Sequence, residues 1–492
     1  MRAMTDVDEY IVKIIKRGDE GSELLHALCA PTLKNSRHID VVSGGAGEIA
    51  VLRPPEDYNI VAHSATGDPA KLDVAEHTAS LMNRLYADAQ LMNATPLALV
   101  DVVDSSEGLR ETLRTIGDTL VAKANENKIA VINGELAILG YRVNCEANVS
   151  GTMIGIVPDS VAPGVYERNG VTYVVFDPKG KAVHGNADGI GTRTEFDERL
   201  GNYPRTLRNS LAMKLDDSSK SGARAKAVFD IIESSGQIEI PIELMNAEAK
   251  LLGKDMGFEY VLVHEFAGDR LRGWKEGATA LNVSGSAVTV IDEERLCNPL
   301  APSAGEYIVA IRGKPNPRSN GITDKRKAMV ATLGNSWHET PIGKIFMEFL
   351  AEPSTVFYPV FNQLIDQGLA TSVYHMSGGA YNGKLAKPLA KHGLYAPLEG
   401  LYAPDWRELG LARFMSTSAE AAYAKWPMGN EGFITTRNPA EAIEVIKKYG
   451  LEAKQVGIVE KAKDGRTGIE LVGIRGSDGN NVYFSGQENK AA

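Results

Sequence analysis

At 492 residues the chain is too long for one ordinary core, so two to four domains are expected. Its 43% hydrophobic and 24% charged residues are the composition of a soluble globular protein. The formal charge of −10 is spread along the chain and argues against nucleic acid as the main partner, so an anionic substrate would need a local basic or metal-lined pocket. The three cysteines, Cys29, Cys145 and Cys297, are odd in number and far apart, with no C-x-x-C or Cys/His spacing for zinc. They read as reduced thiols of a cytoplasmic protein. Residues 1–9 carry no apolar signal region, no run of about 18 apolar residues follows, and no membrane partner is expected. Asn148-Val-Ser and Asn282-Val-Ser match a glycosylation pattern, but without a secretion signal the match is read as coincidence.

In chain order, Tyr10-Ile-Val-Lys-Ile-Ile carries apolar positions at helical spacing and predicts a short helical segment within residues 1–35. Residues 36–165 form a first domain, with Asp88 in a helix-like stretch, the sequence Asn133-Gly134-Glu135-Leu-Ala, and a β-branched strand after Asn148. It ends in the breaker-rich Val157-Pro-Asp-Ser-Val-Ala-Pro-Gly. Residues 166–295 form a second domain, opening with the extended run Val171-Thr-Tyr-Val-Val-Phe and the stretch His184-Gly-Asn-Ala-Asp-Gly-Ile-Gly-Thr-Arg-Thr. A helix-like segment starts near Glu195, another holds Asp217, and a second β-branched strand follows Asn282. Asn298-Pro-Leu-Ala-Pro marks the last boundary, and residues 296–492 read as an α/β domain. There Tyr307-Ile-Val-Ala-Ile is a strand, and 439–449 is a helix with Asn438 as N-cap, Pro439 at its first position and Gly450 beyond its end. Val456-Gly-Ile-Val is the strand after it.

The first two domains share landmarks in one order. Gly151 recurs as Gly285, Glu135 as Glu265, Asp88 as Asp217, and Thr66 falls opposite Asp188, at offsets of 134, 130, 129 and 122. Nearly constant offsets mean one duplicated domain of about 130 residues rather than a solenoid of short repeats.

The stretch at 184–194 carries the most chemistry. Asp188 followed by Gly189-Ile-Gly191-Thr192-Arg193, between strand and helix, brings flexible backbone, a metal-seeking carboxylate and a cation together. That combination suits a bound polyphosphate, because backbone N–H groups can face phosphate oxygens. The same short motif also serves as an ordinary strand–helix turn. Three further small-residue turns lie in the last domain: Arg318-Ser319-Asn320-Gly321-Ile-Thr, His375-Met-Ser377-Gly378-Gly379 and Met428-Gly429-Asn-Glu-Gly432.

In this order the motifs resemble those of aminoimidazole ribonucleotide (AIR) synthetase, the ATP-dependent phosphoribosylformylglycinamidine cyclo-ligase of purine biosynthesis. The resemblance runs over residues 166–492 in full domain order, and the first copy resembles the family's N-terminal domain again. It implies an α+β fold of two tandem N-terminal domains that close a β-barrel-like core within one chain, followed by one α/β C-terminal domain. The implied chain is a monomer with an internal pseudo-dimer, or a homodimer. ATP, Mg²⁺ and a phosphoribosyl substrate are the implied ligands. Asp188, Asp217, Asp88 and Glu135 are the implied metal ligands. Gly189, Gly191, Thr192 and Arg193 would cradle nucleotide phosphates, and Ser319, Asn320, Gly321, Ser377, Gly378 and Gly379 would hold substrate phosphate or the reacting centre. Asp188, His375 and Arg318 are the implied catalytic residues.

The copies have diverged in complementary ways. The second keeps the Asp-Gly-x-Gly-Thr loop where the first reads Thr66-Gly-Asp-Pro-Ala-Lys71, and the first keeps the Gly134-Glu135 sequence where the second reads His264-Glu265. One shared site and one decayed pseudo-site are expected, against independent drift of a spare domain. No histidine lies four residues after His264, which excludes a zinc protease. Two departures stand out: Arg318 occupies the place of the family's histidine before Ser-Asn-Gly, and Arg193 that of a lysine. An arginine stays protonated at neutral pH, so Arg318 is expected to clamp phosphate, leaving His184 and His375 as candidates to carry a proton. The expected reaction is cyclisation of formylglycinamidine ribonucleotide. The alternatives are another ATP-using enzyme of the superfamily, such as one like formylglycinamidine ribonucleotide synthetase, or a non-enzymatic nucleotide-binding paralogue.

Overall fold

The computed structural model describes residues 20–44, 47–235 and 240–487. Two compact units emerge, one comprising the chain up to Ser210 together with Ala223–Cys297, the other Leu211–Gly222 together with the chain from Asn298 on. The helix expected over 10–15 lies outside the described residues; in the remainder of the first 35, residues 20–29 are helical and Ala30–Asn35 form a 3₁₀ turn.

Among the described residues the first unit holds twelve strands: β1 Ile39–Gly44, β2 Gly47–Leu52, β3 Tyr58–Thr66, β4 Thr95–Ser105, β5 Ala130–Ile138, β6 Ala147–Pro158, β7 Gly164–Arg168, β8 Val171–Phe176, β9 Ala182–Gly189, β10 Arg224–Ser235, β11 Glu259–Phe266 and β12 Ala280–Ile291. They make two six-stranded sheets, ordered β5-β4-β6-β3-β8-β7 and β11-β10-β12-β9-β2-β1. The orders match strand for strand, and β4 with β5 and β10 with β11 are the parallel pairs of these sheets. Helices cross over between the paired parallel strands, Arg110–Asn127 in one case and Ile242–Met256 in the other, as parallel pairing requires. The helix Val74–Leu91, which joins β3 to β4, is capped by the Asp73 carboxylate on the Glu76 N–H at 2.9 Å. It turns Val74, Leu81, Met82, Leu85 and Ala89 inward at helical spacing.

The hairpins are exchanged. β1–β2 precedes the first motif in sequence but pairs with β9 of the second sheet, and β7–β8 precedes the second motif but pairs with β3 of the first. The boundary expected between residues 165 and 166 therefore falls inside β7, and no single cut separates the sheets. A repeat search locates where sequence recurs; which ladder a hairpin joins depends on the tertiary edge it meets.

The sheets face one another through a shared apolar core that includes Ile60, Val100 and Ile154 from one and Val183, Phe229 and Val288 from the other. Counterparts in the two motifs touch each other. Ser150 Oγ lies 3.2 Å from Ser284 Oγ, Thr152 hydrogen-bonds Ser286, and Val143 bridges Leu271. Around that bridge Asn144 N–H donates to Arg270 O at 2.8 Å and Arg272 N–H to Arg142 O at 2.9 Å, a reciprocal exchange of the kind a two-fold axis produces. Gly185 permits the close approach, because a Cβ there would lie 2.2 Å from Val100 Cγ2. Where a β-barrel-like core was expected, the unit has two facing sheets with separate ladders and no hydrogen-bonded ring among the described residues. Register also adjusts the pairing of landmarks. Gly151 faces Ala65 and Gly285 faces Asp188, so the counterpart of Asp188 is Ala65, one residue before Thr66. Likewise Glu135 sits opposite Val102 and Val263 opposite Ile231, which makes Val263, not Glu265, the counterpart of Glu135.

Polar groups are also buried between the sheets. Glu233 accepts from Thr66 Oγ1 at 2.8 Å and from Asn148 Nδ2, while Asn282 Nδ2 donates to both Asp104 (2.7 Å) and Glu233 (3.0 Å). Burial pushes the Asp104 carboxyl up to about 7, with Asn282 opposing and the charge of Glu233 adding. Folded Asp104 thus holds its proton to higher pH than the unfolded chain does. Its stabilisation is present below the ordinary carboxylate range and is lost as pH rises through about 7. Asp104→Asn keeps an acceptor for Asn282 without the charge, so the variant should melt several degrees above the wild type at pH 8 and no higher at pH 5. Melting curves at the two pH values check this, and a gain confined to pH 5 would contradict it.

The second unit is built on an eight-stranded mixed sheet. Its strands are β13 Tyr307–Arg312, β14 Ser372–His375, β15 Leu394–Leu398, β16 Gly432–Thr436, β17 Glu452–Ile458, β18 Glu460–Lys461, β19 Gly468–Arg475 and β20 Asn481–Phe484. Seven run in the order β14-β16-β13-β17-β15-β19-β20, and β18 pairs with β15. Both faces are covered, since Ile308 and Ala310 enter one apolar core and Val309 and Ile311 another, the two-residue period of a strand buried on both sides. The predicted helix appears as Pro439–Lys448 with Gly450 beyond it, although the Asn438 side chain makes no cap bond. Leu211–Gly222, which contains the second half of the helix Arg205–Ser219, counts with this unit. Among the described residues no helix is long and apolar enough to cross a membrane.

Candidate functional site

The expected site residues fall into two clusters, one in each unit. In the first unit Asp188 is the last residue but one of β9 and its Oδ1 accepts from the Gly189 N–H at 2.7 Å, so the carboxylate shapes its own loop. A 3₁₀ turn, Gly191–Arg193, leads into the helix Thr194–Leu200. Asp188, Gly189 and Gly191 are part-exposed, whereas Thr192 and Arg193 are buried. Arg193 packs its guanidinium 5.9 Å from the Phe196 ring centre and opposes the burial that pushes Asp197 up to about 7. It serves the interior rather than a phosphate, a correction to its expected role: the helix after the loop carries buried acids, and buried acids need cations. Arg142 answers the same need, with Nη2 2.5 Å from Glu198 Oε1 and 3.0 Å from Thr194 Oγ1.

The corresponding loop of the first motif is filled by a side chain. The His77 ring packs against Gly67, and its Nε2 accepts from the Val149 N–H at 3.1 Å. Burial holds this imidazole neutral, down at about 4. His184, one candidate proton carrier, faces the Ala50 carbonyl at 3.0 Å from Nδ1, and burial lowers it too.

In the second unit the three small-residue turns converge. Asn320 Nδ2 donates to Met376 O at 2.8 Å, Met376 N–H donates to Glu431 O at 2.9 Å, and Asn316 Nδ2 donates to Glu431 Oε2 at 3.1 Å. Arg318 (φ 49°), Ser319 (φ 59°), Ala380 (φ 35°) and Met428 (φ 46°) all adopt the left-handed backbone that side chains disfavour. Such strain persists only where surrounding contacts over-determine it, and it gathers at functional sites. Gly321 is required where it stands, since a Cβ would lie 2.1 Å from Trp426 Nε1.

Arg318 is at the centre and only 1% exposed. Its Nη2 is 2.7 Å from Asp216 Oδ2 and 3.3 Å from His375 Nδ1, its Nη1 donates to Thr355 O at 2.6 Å, and its guanidinium lies 4.7 Å from the Phe357 ring centre. Burial pushes Asp216 up to about 7 against the pull of Arg318, and Glu431, 3.9 Å from Arg318 Nη1, rises to about 7 for the same reason. Because arginine only donates, His375 Nδ1 must be the bare nitrogen, and Nε2–H then donates to Asp217 Oδ1 at 2.8 Å. Burial, with Lys220 and Lys384 nearby, outweighs Asp217 and lowers this imidazole to about 3. Asp217 also accepts from Lys220 and, at 3.5 Å, from Lys384. Burial alone would raise its carboxyl; Lys220, Lys384 and His375 hold it well below the carboxylate range.

Two expectations change accordingly. Arg318 spends its Nη groups inside the protein and is a strut rather than a clamp, and His375, with both ring nitrogens engaged, orients Asp217 rather than shuttling a proton. The four expected magnesium ligands are not gathered either. Asp88 lies 3.9 Å from Arg84, which also binds Glu265 at 2.6 Å; Asp217 is surrounded by cations; Glu135 sits mid-strand in β5. Among the described residues no group of three or more His, Cys, Asp or Glu side chains is arranged to hold a metal. Sequence reasoning missed Asp216, Lys220, Lys384 and Glu431. Asp216 and Glu431 adjoin quoted motif residues, but Lys384 reaches Asp217 from a π-helical turn, Tyr381–Ala386, that no propensity announces.

Residues 47–157 match the family described as AIR synthase related protein, N-terminal domain. The phosphoribosylformylglycinamidine cyclo-ligase of Clostridium perfringens (strain 13 / Type A) is 22% identical over 289 residues, which covers 56% of this chain and 81% of that one. The cyclo-ligase of Thermococcus kodakarensis is 22% identical over 218 residues, 44% of this chain and 62% of its own. Among solved structures, T. maritima PurL complexed with AMPPCP is 16% identical with a TM-score of 0.34, covering 57% of this chain and 40% of that one. Thiamine monophosphate kinase from Aquifex aeolicus is 13% identical with a TM-score of 0.38, covering 62% of this chain and 90% of that one. The matched residues run from β2 to β6 and so contain the filled loop at Gly67, while the part-exposed loop at Asp188 lies beyond them.

Proposed function

We propose that the chain is an ATP-dependent cyclo-ligase that converts formylglycinamidine ribonucleotide to aminoimidazole ribonucleotide, ADP and phosphate. The supporting observation is that motifs shared in order with the cyclo-ligases, and separated by more than fifty residues in sequence, meet at Arg318, Asn320, His375 and Glu431 in one buried hydrogen-bonded frame. In this reaction the substrate amide oxygen takes the γ-phosphoryl group of ATP, the amidine nitrogen closes the ring, and phosphate leaves. The protein's part is positioning and charge neutralisation. Asp188, Gly189 and Gly191 would meet the nucleotide, and Asp217, oriented by neutral His375, would face the acceptor with Lys220 and Lys384. The two motifs of the first unit are read as a duplication with one working loop, the other being plugged by His77. Arg318 in place of a histidine favours a second reading, in which the same ATP chemistry serves another acceptor, as in enzymes like formylglycinamidine ribonucleotide synthetase.

ADP release from ATP with formylglycinamidine ribonucleotide tests the first reading, and release only with a different acceptor selects the second. Asp188→Asn retains an oxygen for the Gly189 N–H, so the fold should hold. Turnover should drop about a hundredfold if the charge organises the reacting phosphates. Near-wild-type kinetics in a variant with an unchanged melting temperature would remove Asp188 from the site.

A further inference from the structure

The turn that follows β5 crosses from the first motif to the residues after β9 in the second. Leu139 Cδ2 lies 3.4 Å from where a Cβ on Gly191 would stand, and the Tyr141 hydroxyl donates to Glu195 Oε2 at 2.9 Å. Arg142, only 3% exposed, makes the most contacts. Its Nη2 lies 2.5 Å from Glu198 Oε1, 2.9 Å from Leu281 O and 3.0 Å from Thr194 Oγ1, and its Nη1 donates to Glu198 Oε2 at 3.3 Å. Because arginine only donates, the Thr194 hydroxyl accepts from it and turns its own proton to Gly191 O, 3.2 Å away. The Gly191 carbonyl and the Thr192 N–H belong to one planar peptide, so holding the oxygen also sets the direction of that N–H. Gly191, at φ 52°, has no side chain with which to fix itself.

The register counterpart of Arg142 shows what is particular to it. Arg270, after β11, mirrors the crossing: its Nη2 donates to Ala147 O at 2.5 Å, as Arg142 Nη2 does to Leu281 O. Its other bonds go to Asn148 Oδ1 at 3.2 Å and, in the loop that His77 fills, to Lys71 O at 2.5 Å. Two arginines in matching places thus end differently. One meets the backbone of the filled loop, the other the hydroxyl that holds the part-exposed loop. We propose that Arg142 is a positioning residue: supplied by the first motif, it fixes the 188–193 loop of the second motif through the Thr194 hydroxyl. Its bearing on function rests on the reading of that loop as the one that meets the nucleotide. A loop already held in shape need not be ordered by its ligand, and this is what such a hold adds to affinity. The first motif then has a task in the site although its own loop is filled.

Thr194→Val tests the relay, because it removes the hydroxyl, keeps the branched shape and leaves the Arg142–Glu198 pair in place. Its amides at 188–193 should exchange hydrogen about fivefold faster than in the wild type, and the full chain should bind ADP about fivefold more weakly by calorimetric titration, as loss of one hydrogen bond implies. Thr194→Ser, which keeps the hydroxyl, should stay within about twofold on both measures. Arg142→Lys should behave like Thr194→Val, since an ammonium keeps the charge beside Glu198 but lacks the fork that also reaches Thr194. Unchanged exchange at 188–193 in Thr194→Val overturns the proposal. So does a lower melting temperature with unaltered ADP affinity, the mark of a purely structural bond. Faster exchange confined to the loop, in a protein whose wild type binds no ADP, keeps the positioning role and discards the nucleotide reading. Wild-type ADP binding that neither Thr194→Val nor Arg142→Lys weakens does the reverse.

Discussion

A fragment beginning at residue 166 is expected to precipitate or form large aggregates, although it contains β9 to β12 and the strands of the second unit. The cut removes β1 and β2, which are strands of the second sheet, takes β3 away from β8 and truncates β7, the other ladder partner of β8, by its first two residues. It also uncovers the face that carries Val183, Phe229, Val288 and Val290, which in the full chain packs on Ile60, Val100 and Ile154. An unpaired sheet edge beside a large apolar face is the combination that drives association. The full chain, whose self-complementary face is already used internally, is expected to be a monomer binding about one nucleotide. Light scattering on both proteins, with nucleotide titration of the full chain, measures each outcome. A monomeric fragment with a cooperative melting transition would show that the exchanged hairpins are dispensable. A tight full-chain dimer binding two nucleotides per chain would end the internal pseudo-dimer.

Replacing Arg318 with methionine is expected to cost about 3–5 kcal/mol of stability in the second unit, the usual penalty for leaving a buried charge without its partner. Asp216 would keep backbone N–H bonds from Tyr358 and Phe357 but no cation, and Thr355 O and His375 Nδ1 would each lose a donor. Burial already holds Asp216 at about 7 with Arg318 present, so without it the carboxyl would bind a proton rather than stay charged. Adding Asp216→Asn to Arg318→Met should therefore recover part of the loss, since it removes the stranded charge. Denaturant unfolding of the two single variants and the double variant closes the cycle. A phosphate clamp makes a different forecast: Arg318→Met would then melt like the wild type and raise KM alone. That result would return Arg318 to the ligand.

The sequence by itself determined many of the strands and several helices, because these rest on local chemistry. Asn148-Val-Ser-Gly and Asn282-Val-Ser-Gly recur before β-branched runs, and those runs are β6 and β12. Pro439 and Gly450 bracket a helix because one lacks an N–H and the other tolerates positive φ, wherever the helix packs. The turns at Arg318, His375 and Met428 were legible as small-residue turns, and they are turns. What each side chain does there was not legible. Arg318 and Arg193 read as phosphate ligands by position in a motif, yet the fold encloses them beside Asp216 and Asp197, and a buried carboxylate claims the nearest cation. Lys220 and Lys384 stand 164 positions apart and share an oxygen only because the end of one helix and a π-helical turn bring them to Asp217. Strand exchange belongs to the same class. A hairpin has the same sequence whichever edge it joins, and the free energy that chooses between two matching edges is long-range, arising from the apolar face the two sheets bury together.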